Sequence, residues 1–311
     1  MGPIADAVSG NWVDTRAPDW LRPYLRLSRL DRPIGTWLLW LPCLWALSLA
    51  ILHTGTVSWV DGWIAVGSGI GAILMRGAGC TWNDYTDRDI DGAVKRTALR
   101  PIPSGQVTPR QALAWAVLQC FLAFIILLTF NGPAILLGIA ALGPVAIYPF
   151  AKRITWWPQV FLGLAINWGA LLIWTAHTGS LGWPAAALYL SGIARTLFYD
   201  TIYAHQDSED DALIGVKSTA RLFGETSPRW LRIFLVVAVV FMGLAVLLAA
   251  QDRSVLALVL ALGGPWAFGW HLVWQLARFD PEDETGLLRI FRSNRNAGLI
   301  PLLFFAVAGF L

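Results

Sequence analysis

The chain has 311 residues, 56% of them hydrophobic and 14% charged, a balance outside the range of ordinary water-soluble globular domains. A formal net charge of +3 supplies no global basic field for nucleic acid, and no run of like charge reads as a binding tail. Cys43, Cys80 and Cys120 lie far apart in apolar stretches, without the paired spacing of a zinc site or a disulfide framework.

The amino-terminal stretch contains Asp6, Asp14, Asp19 and Asp31 and has no continuous apolar core, so it fits neither a secretory signal nor an acid-poor transit peptide. A bacterial inner-membrane protein is the simplest expectation. Residues 20–30 place Trp20, Leu21, Tyr24 and Leu25 near one helical face with Arg22, Arg26 and Arg29 interleaved, which predicts a short interfacial helix. Residues 1–32 are thus expected to form a cytoplasmic segment, and residues 33–311 a single transmembrane domain.

Runs without Asp, Glu, Lys or Arg locate the spans, because about 20 apolar residues cross a bilayer core. Residues 33–60 are the first, and 62–82, interrupted only by Arg76, the second. Residues 111–151 and 154–194 are each 41 long, too long for one span. Each is broken near its middle by turn chemistry, Asn131-Gly132-Pro133 and Thr178-Gly179-Ser180, and so predicts a helical hairpin. Residues 233–251, 254–277 and 296–311 bring the expected number of segments to nine. Nothing shows the alternation of a membrane barrel, so the fold class is all-α, a polytopic bundle of about nine transmembrane helices.

On that map 22 of the 23 basic residues fall on one face, Arg253 being the exception, which makes that face cytoplasmic. Eighteen of the 20 acids share it, all but Asp61 and Asp252, which is more charge than orientation requires.

Much of that acid lies in two motifs. Asn83-Asp84-Tyr85-Thr86-Asp87-Arg88-Asp89-Ile90-Asp91 follows the second segment; if the helix continues, Asn83, Asp87 and Asp91 share a face with Asp84 beside them. Asp200 to Asp211 follows the sixth, with Asp207 and Asp211 again four apart. Carboxylates this close repel unless a cation neutralises them. Carboxylates with one amide oxygen suit Mg²⁺, which completes its octahedron with water and phosphate oxygens. Two such sites facing each other could hold two metal ions around one diphosphate. Asp280, Glu282, Asp283 and Glu284 lack this spacing and read as solvated surface, and His205 as a packing residue.

Basic residues supply the other half of a diphosphate site: Lys95, Arg96 and Arg100 after the first motif, Lys152 and Arg153 after the fourth segment, and Lys217 and Arg221 after the second motif. Arg76 lies inside a span, seven residues before Asn83 and on its face, where an uncompensated charge is expensive; it is expected to point into the bundle. Arg195, five residues before Asp200, invites the same reading.

At these residues the chain resembles the UbiA superfamily of intramembrane prenyltransferases, and within it the 4-hydroxybenzoate polyprenyltransferase branch. The resemblance runs through RLDRPIGTWLLWLPCLWAL from Arg29, LMRGAGCTWNDYTDRDIDGAVKRTALRPIPSG from Leu74, YPFAKRITWWPQVFLG from Tyr148 and YDTIYAHQDSEDDALIGVKSTARLFG from Tyr199. It implies nine helices around a central cavity that opens to lipid and is capped by two Asp-rich cytoplasmic loops. It also implies that Asn83, Asp87, Asp91, Asp207 and Asp211 bind Mg²⁺ or the diphosphate. Lys152, four after Tyr148, would bind diphosphate too.

The implied reaction moves a polyprenyl group from polyprenyl diphosphate to 4-hydroxybenzoate, ortho to its hydroxyl (position 3), in ubiquinone synthesis within the lipid bilayer. Asp84, Asp91, Asp200, Asp211 and Arg76 are the expected catalytic groups. Lys152, Arg88, Lys95, Arg96, Arg100 and Lys217 are expected at the diphosphate, and Arg29, Arg32, Tyr148 and Tyr203 at the substrates. Arg29, Arg32 and Arg76 are alternative partners for the acceptor carboxylate. The rival readings are a relative acting on a haem, chlorophyllide or naphthoate, and a secondary transporter, whose site would lie near the bilayer midplane.

Overall fold

The computed structural model describes residues 10–92, 97–208, 212–213 and 215–311, and all regular structure among them is helical. Two short helices, α1 (Trp12–Thr15) and α2 (Arg22–Leu27), precede α3 (Ile34–Thr54), α4 (Trp59–Asp91) and α5 (Pro109–Leu127). Then come α6 (Gly132–Ala140), α7 (Leu142–Ile154), α8 (Pro158–Asn167), α9 (Gly169–Thr178) and α10 (Trp183–Ala204), which runs into a 3₁₀ turn at His205–Asp207. The chain closes with α11 (Thr219–Phe223), α12 (Ser227–Ala249), α13 (Val255–Leu276) and α14 (Glu284–Ala308).

Seven stretches among the described residues are long and apolar enough to cross a membrane: Ile34–Thr54, Trp59–Asp89, Pro109–Leu127, Gly132–Ile154, Pro158–Thr178, Thr219–Ala249 and Val255–Leu276. The remaining two expected segments fall on α10 and α14, of 22 and 25 residues, long enough to cross but interrupted by charge such as Arg195 and Arg292. The chain is therefore a polytopic α-helical membrane protein.

Helix ends differ from the charge-free runs in two places. α4 continues nine residues past Trp82, so the first aspartate motif is the end of a helix rather than a loop. α14 begins at Glu284, twelve residues before the expected start, and takes Arg289, Arg292 and Arg295 into its first turns. A charge ends a hydrophobic run, but the i→i−4 ladder is indifferent to it, and Asp and Arg continue a helix at small cost. The hairpin turns fall where expected. Asn131 caps α6, its side chain accepting from Ala134 N at 3.0 Å, and Gly179 ends α9 at φ 81°, a left-handed conformation that favours glycine.

Two compact units are distinguished by their internal packing: residues to Trp37 with Gly69–Thr129, and Leu38–Ser68 with Phe130–Leu311. In the first, Leu27, Ile102, Val107 and Ala112 form a small core against Tyr24 and Tyr85, and Trp115 Nε1 donates to Ser28 Oγ at 2.8 Å. In the second, α10 packs along α12, and α13 along α14. Its centre is filled by Trp45, Phe268 and Phe305, with Trp45 Nε1 donating to Gly298 O at 2.7 Å. Outward residues such as Leu136, Trp266 and Leu303 are left exposed, an arrangement stable in hydrocarbon and an aggregation hazard in water.

A polar clamp closes the ends of three helices in the second unit. Asp61, in the first turn of α4, accepts from Ser58 N at 2.7 Å through Oδ2 and meets His177 Nδ1 at 2.6 Å through Oδ1; His177 Nε2 lies 2.8 Å from Thr54 Oγ1 at the end of α3. Arg253 donates to Leu52 O nearby and so caps the end of α3. Asp61 and the His177 side chain are both buried. Asp61→Ala should therefore cost about 3 kcal/mol by orphaning His177 and uncapping α4. A thermal unfolding midpoint in detergent no lower than wild type would contradict this.

Candidate active site

The first motif occupies the last turns of α4, where the negative end of the helix dipole already disfavours carboxylates. Asp84 and Asp87 are fully buried and Asp91 nearly so, while Asn83 is half-buried. Three buried acids at a helix C-terminus require positive charge.

Part of it comes from the chain. Arg29 Nη2 donates to Asp84 Oδ1 at 2.6 Å, and Arg100 Nη1 bridges Asp84 Oδ1 at 3.3 Å and Asp91 Oδ2 at 2.7 Å. Arg29 is itself buried and has φ 56°, the one non-glycine residue with positive φ among those described. Such a conformation persists only where surrounding contacts over-determine it; here Arg29 Nη1 also donates to Arg26 O at 3.0 Å. Burial alone would favour the neutral guanidine, but the charge and hydrogen bond of Asp84 together with further negative neighbours such as Asp31 outweigh it and raise the Arg29 pKa.

One carboxylate oxygen of the cluster is left over. Asp84 Oδ2 is buried without a hydrogen-bond partner among the described residues. Burial raises the Asp91 pKa, Arg100 opposes that, and the like charges of Asp84 and Asp87 add to the rise. Carboxylate and amide oxygens are the donors Mg²⁺ takes, so the residue types fit the ion, while among the described residues no three such acids converge on one point.

The other predicted basic residues of this unit are placed differently. Arg88 donates to Tyr85 O at 2.8 Å and stacks 5.0 Å over the Tyr85 ring. Arg32 is held by Asp31 through two contacts of 3.1 and 3.3 Å. Arg76 is half-buried, with its Nε buried and unpartnered among the described residues. Lys95 and Arg96 lie outside the described residues.

In the second unit Asp200 sits in the last turns of α10 and Asp207 in the following 3₁₀ turn, both half-buried, while Asp211 lies outside the described residues. Tyr203 stacks 4.3 Å from Phe291, and His205 packs on Phe279 with Nε2 3.1 Å from Ser227 Oγ. Lys152 and Lys217 converge at the end of α7, with Lys217 N donating to Lys152 O at 3.0 Å and Lys217 Nζ to Ile154 O at 3.1 Å. Tyr148 is one turn before Lys152 on α7 and half-buried. Arg195 is 1% exposed, donates to Asn294 O at 2.7 Å and lies over the Trp45 and Tyr199 rings, so it turns into the bundle and does not snorkel.

The Arg29–Asp84 and Arg100–Asp84 pairs were not legible in the sequence. They join residues 55 and 16 apart, and nothing local marks Arg29 as left-handed.

A profile of the UbiA prenyltransferase family matches residues 39–294 of this chain. The chain belongs to the UbiA prenyltransferase family. Within reach of it in sequence is the mitochondrial 4-hydroxybenzoate polyprenyltransferase of Rattus norvegicus, 46% identical over 299 residues, 96% of this chain and 77% of that one. The Arabidopsis thaliana protein of the same name is 46% identical over 292 residues, 93% of this chain and 69% of that one. Among solved UbiA structures, a homolog from Archaeoglobus fulgidus bound to GPP and Mg²⁺ aligns with TM-score 0.68 at 19% identity, covering 93% of this chain and 98% of that one. The apo homolog from Aeropyrum pernix K1 gives 0.64 at 22%, covering 86% and 95%. These structural likenesses establish the UbiA fold.

Proposed function

We propose that this UbiA protein transfers a polyprenyl group from polyprenyl diphosphate to position 3 of 4-hydroxybenzoate, releasing diphosphate, in ubiquinone biosynthesis. The observation that carries the reading is a buried carboxylate cluster at the end of a spanning helix, in a chain 46% identical to relatives named for that activity. Family membership speaks against the transporter reading. Another aromatic acceptor remains the reading to test against.

Asn83, Asp87 and Asp91, and in the second motif Asp207 and Asp211, would hold Mg²⁺. When bound, Mg²⁺ supplies positive charge that stabilises the departing diphosphate. The chain does the rest. Arg29 and Arg100 fix the Asp84 and Asp91 carboxylates, so the ligand row is set before substrate arrives. Lys152 and Lys217, at the end of α7, add cationic stabilisation to the phosphate oxygens. As the allylic C–O bond ionises, the electron-rich ring attacks the carbocation and then loses its ring proton, which restores aromaticity without a covalent enzyme intermediate. Apolar helix walls keep water from trapping the cation.

The charge asymmetry supports cytoplasmic placement of both motifs in a bacterial inner membrane, although the relatives' names place them in mitochondria. Purified protein in lipid should prenylate 4-hydroxybenzoate, with EDTA suppressing product by about 100-fold or more and added Mg²⁺ restoring it. Mass spectrometry of the extracted acids checks this. Undiminished product in EDTA would remove the metal, and product only with a naphthoate or tetrapyrrole would replace the acceptor.

A further inference from the structure

We infer that the outer seam between α13 and α14 binds an anionic diacyl phospholipid, its phosphate held by Arg278 and Arg289 and its ester carbonyls by the indole N–H groups of Trp274 and Trp270.

The tryptophans are the anomaly. Trp266, Trp270 and Trp274 recur every fourth residue of α13 and are 67%, 60% and 37% exposed. Trp266 and Trp270 lie roughly 15 and 9 Å inside the helix end at Leu276, deeper than an aromatic belt at the headgroups requires. None of the three indole N–H groups meets an acceptor of the chain among the described residues. A donor facing hydrocarbon without an acceptor is costly, so these rings call for a neighbour that accepts.

The packing of the two helices places cations beside them. α13 and α14 run antiparallel, with Gly264 packed against Pro301 and Phe305 and Gln275 Nε2 donating to Ser293 Oγ at 2.8 Å. Gly263, which abuts Phe304, shares a helical face with Trp270 and Trp274, at i+7 and i+11, so both rings border the seam. Arg289, one turn before Ser293, borders it from α14. The same register brings Arg278 level with Arg289, and Arg278 stacks 4.4 Å over Trp274. Both arginines are exposed.

The acids of the intervening loop are engaged elsewhere. Asp283, which senses Arg289 only beyond ion-pair distance, caps α14 by accepting from Gly286 N at 2.9 Å and Thr285 Oγ1 at 2.8 Å; Asp280 accepts from Glu282 N at 3.0 Å. Neither Arg278 nor Arg289 has a carboxylate within ion-pair reach among the described residues. Down the seam the order is therefore cation, indole donor, then apolar surface at Trp266. That is the order of phosphate, ester and acyl chain in a diacyl phospholipid. A prenyl diphosphate has the anion and the chain but no ester acceptors, and inorganic phosphate has only the anion.

The experiment offers the full chain in detergent equal amounts of dioleoyl phosphatidylglycerol and dioleoyl phosphatidylcholine and counts bound lipid by native mass spectrometry. One phosphatidylglycerol per chain, favoured about tenfold over phosphatidylcholine, is expected. Arg278→Gln/Arg289→Gln should abolish the preference. Arg295→Gln, on another face of α14 and equally exposed, should leave it intact. Trp270→Phe/Trp274→Phe, which removes the N–H donors and keeps apolar rings, should weaken retention of both lipids by about threefold or more at an unchanged unfolding midpoint, and it decides the matter if the arginine pair does not fold. No preference in wild type, or equal loss in Arg295→Gln, would overturn the proposal in favour of general surface charge. Displacement of the lipid by equimolar inorganic phosphate or polyprenyl diphosphate would overturn it by giving the seam another ligand, and a dimer that excludes lipid would make it an interface between copies.

Discussion

Asp87→Ala is expected to lower prenyl transfer by about a thousandfold or more while the protein still folds. Asp87 is fully buried at the centre of the row formed by Asn83, Asp87 and Asp91. Its removal takes one oxygen from the cation and one like charge from beside Asp91. Asp207→Ala should cause a comparable loss if the second motif serves the same diphosphate. The check is initial rate at saturating Mg²⁺ with an unfolding midpoint on the same sample. A variant keeping a tenth of wild-type activity would exclude Asp87 as a metal ligand.

Asp84→Ala is expected to fail differently. Asp84 accepts from both Arg29 and Arg100, and without it Arg29 remains buried, charged and held at positive φ. Breaking such a pair from one side costs about 3–5 kcal/mol, because the surviving charge stays buried without its counter-charge. The variant should express poorly and melt earlier, and excess Mg²⁺ should not rescue it. The double variant Arg29→Met/Asp84→Leu, which removes both charges, should regain much of the lost stability without regaining activity. Melting curves of the single and double variants decide this. If Asp84→Ala melts like wild type and loses only activity, Asp84 belongs with the metal ligands and not with their support.

The contrast between these two aspartates, three residues apart, shows what sequence pattern can and cannot carry. The spacing of Asn83, Asp87 and Asp91 is local, so helical periodicity alone put them on one face, and the hairpin turns at Asn131 and Gly179 were visible because their chemistry is local too. The apolar run stops short of the end of α4 for a physical reason: hydropathy reports where lipid ends, and helical hydrogen bonding continues beyond it. The interruptions at Ala141 and Trp168 do have local signals, Gly143-Pro144 and Gly169, but these lie within unbroken apolar runs that hydropathy joins into single segments.

Side-chain partnership was the least legible feature. Arg29 and Arg100 read as free cations awaiting a substrate, since nothing near either names Asp84 as its partner. The clamp of Asp61, His177 and Thr54 was hidden in the same way, the acid and the imidazole being 116 positions apart. Arg76 shows the converse. An arginine within an apolar run was already anomalous in the sequence, and the structure adds the glycine that makes room for it.

The most direct test of the proposed reaction counts both products of one turnover. Purified protein in lipid would be given polyprenyl diphosphate, 4-hydroxybenzoate and Mg²⁺, with released diphosphate and prenylated acid quantified in the same tube and the new bond located by fragmentation. One diphosphate per molecule of acid prenylated on ring carbon, with negligible release when the acid is omitted, is the predicted result. Diphosphate released without a ring-alkylated product, or a prenyl ester on the carboxylate, would contradict it.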